Sequence, residues 1–226
     1  MTKASYLLVH KLHFKAAVFL YSALAALYLV SLFAAPYSLQ FSVKVLPIIV
    51  LVIIARRTLD GNTKHLMSAA LFFSGIGDTF LAPSHFYHFT IGLAAFLLAQ
   101  LIYCYLFFKQ FAWHNNKQSS SLISITLVIY ACAMAGFIVP KTGELMIPVI
   151  VYLVIIMLMG VSAILSSLHW LVKVGAIVFI ASDSILAIGL FSITLPAYDL
   201  WVMATYYIAQ FCILVGMVKS REKTDN

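Results

Sequence analysis

Residues 145–167, LMIPVIVYLVIIMLMGVSAILSS, contain no charged side chain across 23 positions. A helix of about 20 apolar residues crosses the ~30 Å hydrocarbon core of a bilayer. This stretch therefore predicts a transmembrane helix, and runs of the same kind lie on both sides of it. The spans read from the sequence are 16–35, 41–55, 65–82, 88–108, 121–139, 145–167, 170–190 and 198–218. Only 9% of the 226 residues are charged and 64% are hydrophobic, against about 25% charged in an ordinary soluble domain. The expected fold is all-α: a polytopic membrane bundle of eight transmembrane helices, forming one integral membrane domain over residues 1–226. The basic start followed by an apolar run resembles a signal peptide. The run is long for that, and further spans follow, so it is read as a retained first helix. Pro47 inside the short second span predicts a tilt, a kink or a longer helix.

Basic residues set the expected orientation. With the N-terminus inside, twelve lysines and arginines fall on the inner side and two, Lys44 and Lys141, on the outer side. That bias predicts both termini in the cytoplasm. The net charge of +7 does not point to nucleic acid, because the basic residues lie in short clusters between apolar runs rather than in a patch. Cys104, Cys132 and Cys212 all fall inside apolar runs. They are expected to be free thiols, with neither a disulfide framework nor zinc spacing. The polar stretch from His114 to Ser119 divides the chain into two sets of four spans, and the polar tail from Arg221 to Asn226 is expected to fray.

The two sets share a motif. Gly77-Asp78-Thr79-Phe80-Leu81-Ala82 in the third span returns as Ser182-Asp183-Ser184-Ile185-Leu186-Ala187 in the seventh. Ala99-Gln100 and Ala209-Gln210 follow in the fourth and eighth spans. The direction is the same in both, so a 4+4 parallel repeat about the membrane normal is a candidate architecture, with chance likeness between apolar helices as its rival. An ionisable residue inside a span is a functional candidate by default. At 1.5 Å per residue, Asp78 lies roughly 6 Å, Asp183 roughly 10 Å and Lys44 roughly 5 Å from the outer helix ends. Three charges on three helices therefore converge in the outer leaflet. Gln100 and Gln210 lie deeper, about 18 Å in. Tyr206, Tyr207 and Gln210 share one helix face by spacing, as do Gln100 and Tyr103.

Each candidate has a structural rival. Either aspartate could pair with Lys44 and hold helices together, although one lysine cannot neutralise two carboxylates. Lys44 could snorkel to the outer headgroups. The glutamines could be interhelical hydrogen-bond glue, and the tyrosines packing aromatics. His85 and His88 read as an interfacial aromatic belt rather than a metal site, and Tyr198-Asp199 as a span boundary. The functional reading rests on the pair. Burial and a neighbouring like charge disfavour ionisation of one carboxyl group, which then serves as a general acid beside an ionised partner that activates water. That division suits hydrolysis through an oxocarbenium-like state, at a glycoside or an enol ether. A neighbouring lysine can hold a phosphate.

Ser74-Gly75-Ile76-Gly77-Asp78, Gly92-Leu93-Ala94-Ala95-Phe96 with Tyr103, Phe179 to Ala187, and Val202 to Gln210 together resemble the YhhN-like family, whose animal members are lysoplasmalogenases of the endoplasmic reticulum. The likeness runs from about Lys44 to Gly216. It implies an eight-span hydrolase that cleaves the vinyl ether of lysoplasmalogens, a class of lysophospholipid, to a fatty aldehyde and glycerophosphocholine or glycerophosphoethanolamine. It implies Asp78 and Asp183 as the catalytic aspartates, and substrate binding by Lys44, Gln100, Tyr103, Tyr206, Tyr207 and Gln210, with neither a metal nor an organic cofactor. The expected location is the plasma membrane in a bacterium or the endoplasmic reticulum in a eukaryote. Two departures matter. The family's lysine is usually followed directly by proline, which here comes at Pro47. Many relatives carry histidine where this chain has Gln100, and an amide cannot shuttle protons near neutrality. Two rivals remain at this stage. A small transporter or lipid-binding protein could use the same charged pocket. An intramembrane aspartyl protease would share the Gly-x-Gly-Asp pattern at Gly75–Asp78, but its expected Tyr-Asp and Pro-Ala-Leu elements are missing from the right places.

Overall fold

The computed structural model describes residues 3–37, 40–81, 86–111 and 118–224. Eight α-helices carry these residues: α1 (Lys3–Ser31), α2 (Gln40–Thr58), α3 (Gly61–Leu81), α4 (Phe86–Phe108), α5 (Gln118–Ile138), α6 (Met146–Leu165), α7 (Trp170–Phe191) and α8 (Tyr198–Thr224). Six of them, α1 and α4 to α8, contain segments long and apolar enough to cross a membrane. α2 carries Lys44, Arg56 and Arg57, and α3 carries Lys64 and Asp78, so these two are more polar. The described residues form a multi-pass membrane bundle of helices. The bundle presents its apolar side chains outward, as a bilayer solvent requires. Phe19, Leu27 and Val30 on α1 and Leu122, Ile125 and Ile129 on α5 are all exposed. Polar side chains such as Ser74, Gln100 and Gln210 are instead buried.

Most consecutive helices pack side by side. α2 lies against α1 and α3, α3 against α4, α5 against α6, and α6 against α7, while α4 also meets α6 and α8 meets α1 and α2. The pair α7 and α8 is held at the closest range. A Cβ at Gly175 would stand 2.8 Å from the backbone nitrogen of Ile213 and 2.9 Å from the carbonyl oxygen of Ala209. One at Gly216 would stand 2.6 Å from the nitrogen of Val172. Small residues let helix backbones approach where no hydrophobic force drives association inside lipid.

One end of the bundle is tied together by polar contacts. Arg221 on α8 forms an ion pair with Asp60 and donates to the Thr58 carbonyl at 2.8 Å. The His169 amide donates to Ser220 at 2.7 Å, and Ser167 reaches the Gln110 carbonyl at 2.9 Å. Lys173 donates to the Ile164 carbonyl at 2.9 Å, satisfying an orphan acceptor in the last turn of α6. The helix ends follow the sequence-read spans to within a few residues, with three differences. α1 begins at Lys3 rather than near residue 16, and α2 continues through Arg56 and Arg57 to Thr58. α8 runs on through Arg221 to Thr224, so the tail expected to fray from Arg221 is helical that far and is held by Asp60 and the Thr58 carbonyl. All three extensions carry basic residues, and a helix continues past the apolar limit because its backbone hydrogen bonds do not depend on hydropathy. The polar connection at 114–117 lies outside the described residues.

Candidate active site

Lys44 sits in the first turns of α2 and Asp78 in the last turn of α3. These antiparallel neighbours bring the ammonium 3.7 Å from Asp78 Oδ1, and Lys44 Nζ also donates to the Asp78 carbonyl at 3.2 Å. Asp78 is 2% exposed. Its Oδ2 is buried with no direct hydrogen bond among the described residues, and so is the hydroxyl of Tyr206, which stands beside the same carboxyl group. Tyr207 braces the lysine: its hydroxyl donates to the Lys44 carbonyl at 2.6 Å. Its own carbonyl in turn accepts from Tyr21 at 2.7 Å. α1, α2 and α8 are thereby linked around Lys44.

Asp183 on α7 has a different environment. Its Oδ2 accepts a hydrogen bond from the hydroxyl of Tyr152 on α6. Its neighbour Ser182 donates to the Val202 carbonyl at 2.9 Å, tying this turn of α7 to α8. Asp78 is thus served by a cation and Asp183 by a neutral phenol.

Both aspartates line one cavity of about 570 Å³, together with Lys44, Tyr206, His88 and Asp199. A second, narrow cavity of about 60 Å³ lies among α4, α5, α6 and α7, walled by side chains such as Leu93, Met134, Leu153 and Met157, with Tyr152 and Asp183 among its lining. Among the described residues, Asp183 is the one titratable side chain common to both linings. The larger cavity is polar at Lys44 and the carboxyl groups, and the smaller one is an apolar slot. Such a pairing fits an amphiphile whose reacting bond lies where head meets tail. The lining holds two carboxyl groups and a cation, a set chemically capable of proton transfer at a bond beside an anionic group. Among the described residues no group of three His, Cys, Asp or Glu side chains is placed to hold a metal ion.

The structure therefore brings together Asp78, Asp183, Lys44 and Tyr206. The other sequence-selected residues lie outside both linings. The Tyr103 hydroxyl donates to Gln210 Oε1 at 2.6 Å, and Gln210 Nε2 donates to Ser74 at 3.0 Å, a buried network across α4, α8 and α3. Gln100 is fully buried beside the Tyr152 hydroxyl. Tyr207 acts on Lys44 as described. Of the residues read as an interfacial belt, His88 lines the large cavity, whereas His85 lies outside the described residues. Asp199, read as a span boundary, lies in the first turn of α8 and also lines the cavity. Tyr152 escaped the sequence reading because tyrosine is common in apolar helices. Its one available signal was a polar group in α6 near the outer level of the charges.

The YhhN family profile matches residues 39–217, which include every cavity residue named above. A lysoplasmalogenase of Mycobacterium bovis is 34% identical over 174 residues, covering 74% of this chain and 65% of the relative. Lysoplasmalogenase TMEM86A of Bos taurus is 29% identical over 166 residues, with 69% and 66% covered. Lysoplasmalogenase TMEM86B of Rattus norvegicus is 30% identical over 182 residues, with 79% and 72% covered. The match thus spans slightly under two thirds of the mycobacterial relative's length. No solved structure matches this chain.

Proposed function

This chain belongs to the YhhN family, and from that premise we propose that it is a lysoplasmalogenase, hydrolysing the vinyl ether of an alkenyl lysophospholipid to a fatty aldehyde and a glycerophospho-alcohol. One observation carries the reading. Asp78 and Asp183, from opposite halves of the chain, line one cavity with Lys44, and that cavity meets an apolar slot at Asp183.

The head group occupies the large cavity, with its phosphate toward Lys44 and a cationic ammonium toward Asp199. The alkenyl chain enters the slot among α4 to α7. The two vinyl carbons then straddle the junction. The carbon that must gain a proton is the one nearer the tail, and the carbon that water attacks is the one bonded to the ether oxygen, nearer the head. Asp183, at the mouth of the slot, is accordingly the general acid. It transfers its proton to the tail-side carbon, a C–H bond forms, and the former π electrons leave an oxocarbenium ion at the ether carbon. Asp78, ion-paired with Lys44, takes a proton from water as the water oxygen bonds to that carbon. The hemiacetal then collapses: Asp78 returns the proton it took from water to the glycerol oxygen as the carbon–oxygen bond to glycerol breaks. The hemiacetal hydroxyl gives its proton to Asp183 as the aldehyde C=O forms, and both carboxyl groups regain their starting states. One water is consumed and no redox change occurs.

The wider architecture follows the same reading. All eight helices cross the membrane as one domain, the cavity faces the outer leaflet, and both termini lie in the cytoplasm. The Lys44–Asp78 pair on α2 and α3 and the Tyr152–Asp183 pair on α6 and α7 occupy corresponding helices, which supports a parallel four-plus-four repeat. The test is aldehyde release by the purified chain in detergent. Aldehyde from an alkenyl lysolipid, with none from the saturated ether analogue, is expected. Tight binding of the alkenyl lysolipid with no aldehyde would favour a carrier instead.

A further inference from the structure

We propose that Tyr152 is the positioning residue for the acid, fixing the Asp183 carboxyl group through Oδ2 so that its other oxygen faces the reacting carbon, with the Gln100 carboxamide behind it. This rests on the hydrolytic reading above. Three observations meet here. The Tyr152 hydroxyl donates to Asp183 Oδ2, from α6 to α7. Both side chains line the apolar slot, so the contact lies where the slot meets the carboxyl group rather than on the lipid face. Gln100, on α4, is 0% exposed, and neither of its side-chain polar atoms has a direct hydrogen bond among the described residues. It stands beside the Tyr152 hydroxyl. A buried amide of this kind is costly unless it finds a partner, and the oxygen of Tyr152 is an acceptor beside it.

The chemistry requires a neutral holder at Asp183. A phenol can donate to the carbonyl oxygen of a protonated carboxyl group and equally to a carboxylate, so the bond survives both halves of the reaction. Once the proton has left for carbon, the same bond becomes charge-assisted and strengthens. A lysine in this place would compete for the anion before transfer; Lys44 instead serves Asp78, where an anion is needed. With Oδ2 occupied, the proton resides on Oδ1, and the acid has one orientation to deliver it. An amide N–H from Gln100 to the Tyr152 oxygen would in turn orient the phenol. The proposed order is therefore Gln100 to Tyr152 to Asp183, running across α4, α6 and α7.

Tyr152→Phe keeps the ring in the slot and removes the hydroxyl. With an alkenyl glycerophosphocholine and the purified full chain, kcat is expected to fall about 10- to 100-fold. KM should stay within about twofold, since the removed group holds a side chain rather than the substrate. The thermal midpoint should fall modestly, because a buried carboxyl group loses its partner, and kinetics are read well below it. In an Asp183→Asn background the same change should cost nothing further, whereas in Asp78→Asn it should cost its full factor. Equal losses in both backgrounds, or an unchanged kcat, would overturn the proposal. Gln100→Leu supplies a second variant should Tyr152→Phe not fold. A partial loss of kcat is expected, and wild-type turnover would remove Gln100 from the order. Infrared difference spectra need no turnover: the carboxyl C=O band lost in Asp183→Asn should move to higher frequency in Tyr152→Phe. A band that stays in place defeats the positioning role. Absence of aldehyde from the wild type, by contrast, defeats the hydrolytic reading itself.

Discussion

Lys44 is gripped from both sides, its ammonium by the carboxyl and carbonyl groups of Asp78 and its backbone carbonyl by Tyr207. It is not free to snorkel as a lysine near a helix end usually does. On the proposed reading it holds the phosphate and keeps Asp78 ionised. Lys44→Ala should therefore raise KM about tenfold or more, the loss expected for a hydrogen bond to a charged group, and lower kcat as well because Asp78 loses its cation. Asp199 makes a parallel case. Asp199→Asn should raise KM for phosphocholine and phosphoethanolamine lysolipids several-fold while leaving kcat near wild type, and steady-state kinetics with a phosphoglycerol lysolipid should show no such rise. Lys44, Asp78 and Asp183 were legible in the sequence because an ion inside an apolar run is conspicuous. Tyr152, Asp199 and His88 were not. A tyrosine, or a charge at a helix end, has an ordinary interfacial explanation until the fold shows what it faces. Gln210 and Tyr103, chosen on the helical spacing of α8 and α4, meet each other and Ser74 across three helices rather than facing the cavity.

At the scale of elements, the α7–α8 contact positions Asp183 against α8. Gly175→Leu would drive a side chain into the backbone of Ile213 and Ala209. Overpacking of this kind costs about 1–3 kcal/mol, so a lower thermal midpoint in detergent is expected, with weaker retention of activity on heating. The slot among α4 to α7 makes a separate claim. Leu153→Trp should fill its wall and shift preference toward lysolipids with shorter alkenyl chains, read by competing two chain lengths in one assay. The helices were legible because hydropathy marks a span, and their limits were displaced where basic residues extend a helix past its apolar part, as at Arg56 and Arg57. Which helices touch was not legible. The meeting of α4 with α6 and of α8 with α2 depends on side-chain packing across the bundle, which one-dimensional periodicity does not encode.

For the whole molecule, the charge pattern and the cavity lie at opposite ends. Arg56, Arg57, Lys64 and Arg221 sit at one end, while Lys44, Asp78, Asp183 and Asp199 mark the helix turns toward the other. With the basic end in the cytoplasm, tags at either terminus should be shielded from membrane-impermeant reagents in intact cells and labelled only after permeabilisation. Substrate would then reach the site from the outer leaflet, where a lysolipid can present its head group to Lys44 without crossing the bilayer. The central claim is that two carboxyl groups from the two halves of the chain act together on one bond. The most direct test is single-turnover aldehyde release from an alkenyl lysolipid by wild type, Asp78→Asn and Asp183→Asn, each with an unchanged thermal midpoint. The account requires each substitution to slow release by about 100-fold or more; release at a near wild-type rate by either variant would contradict it.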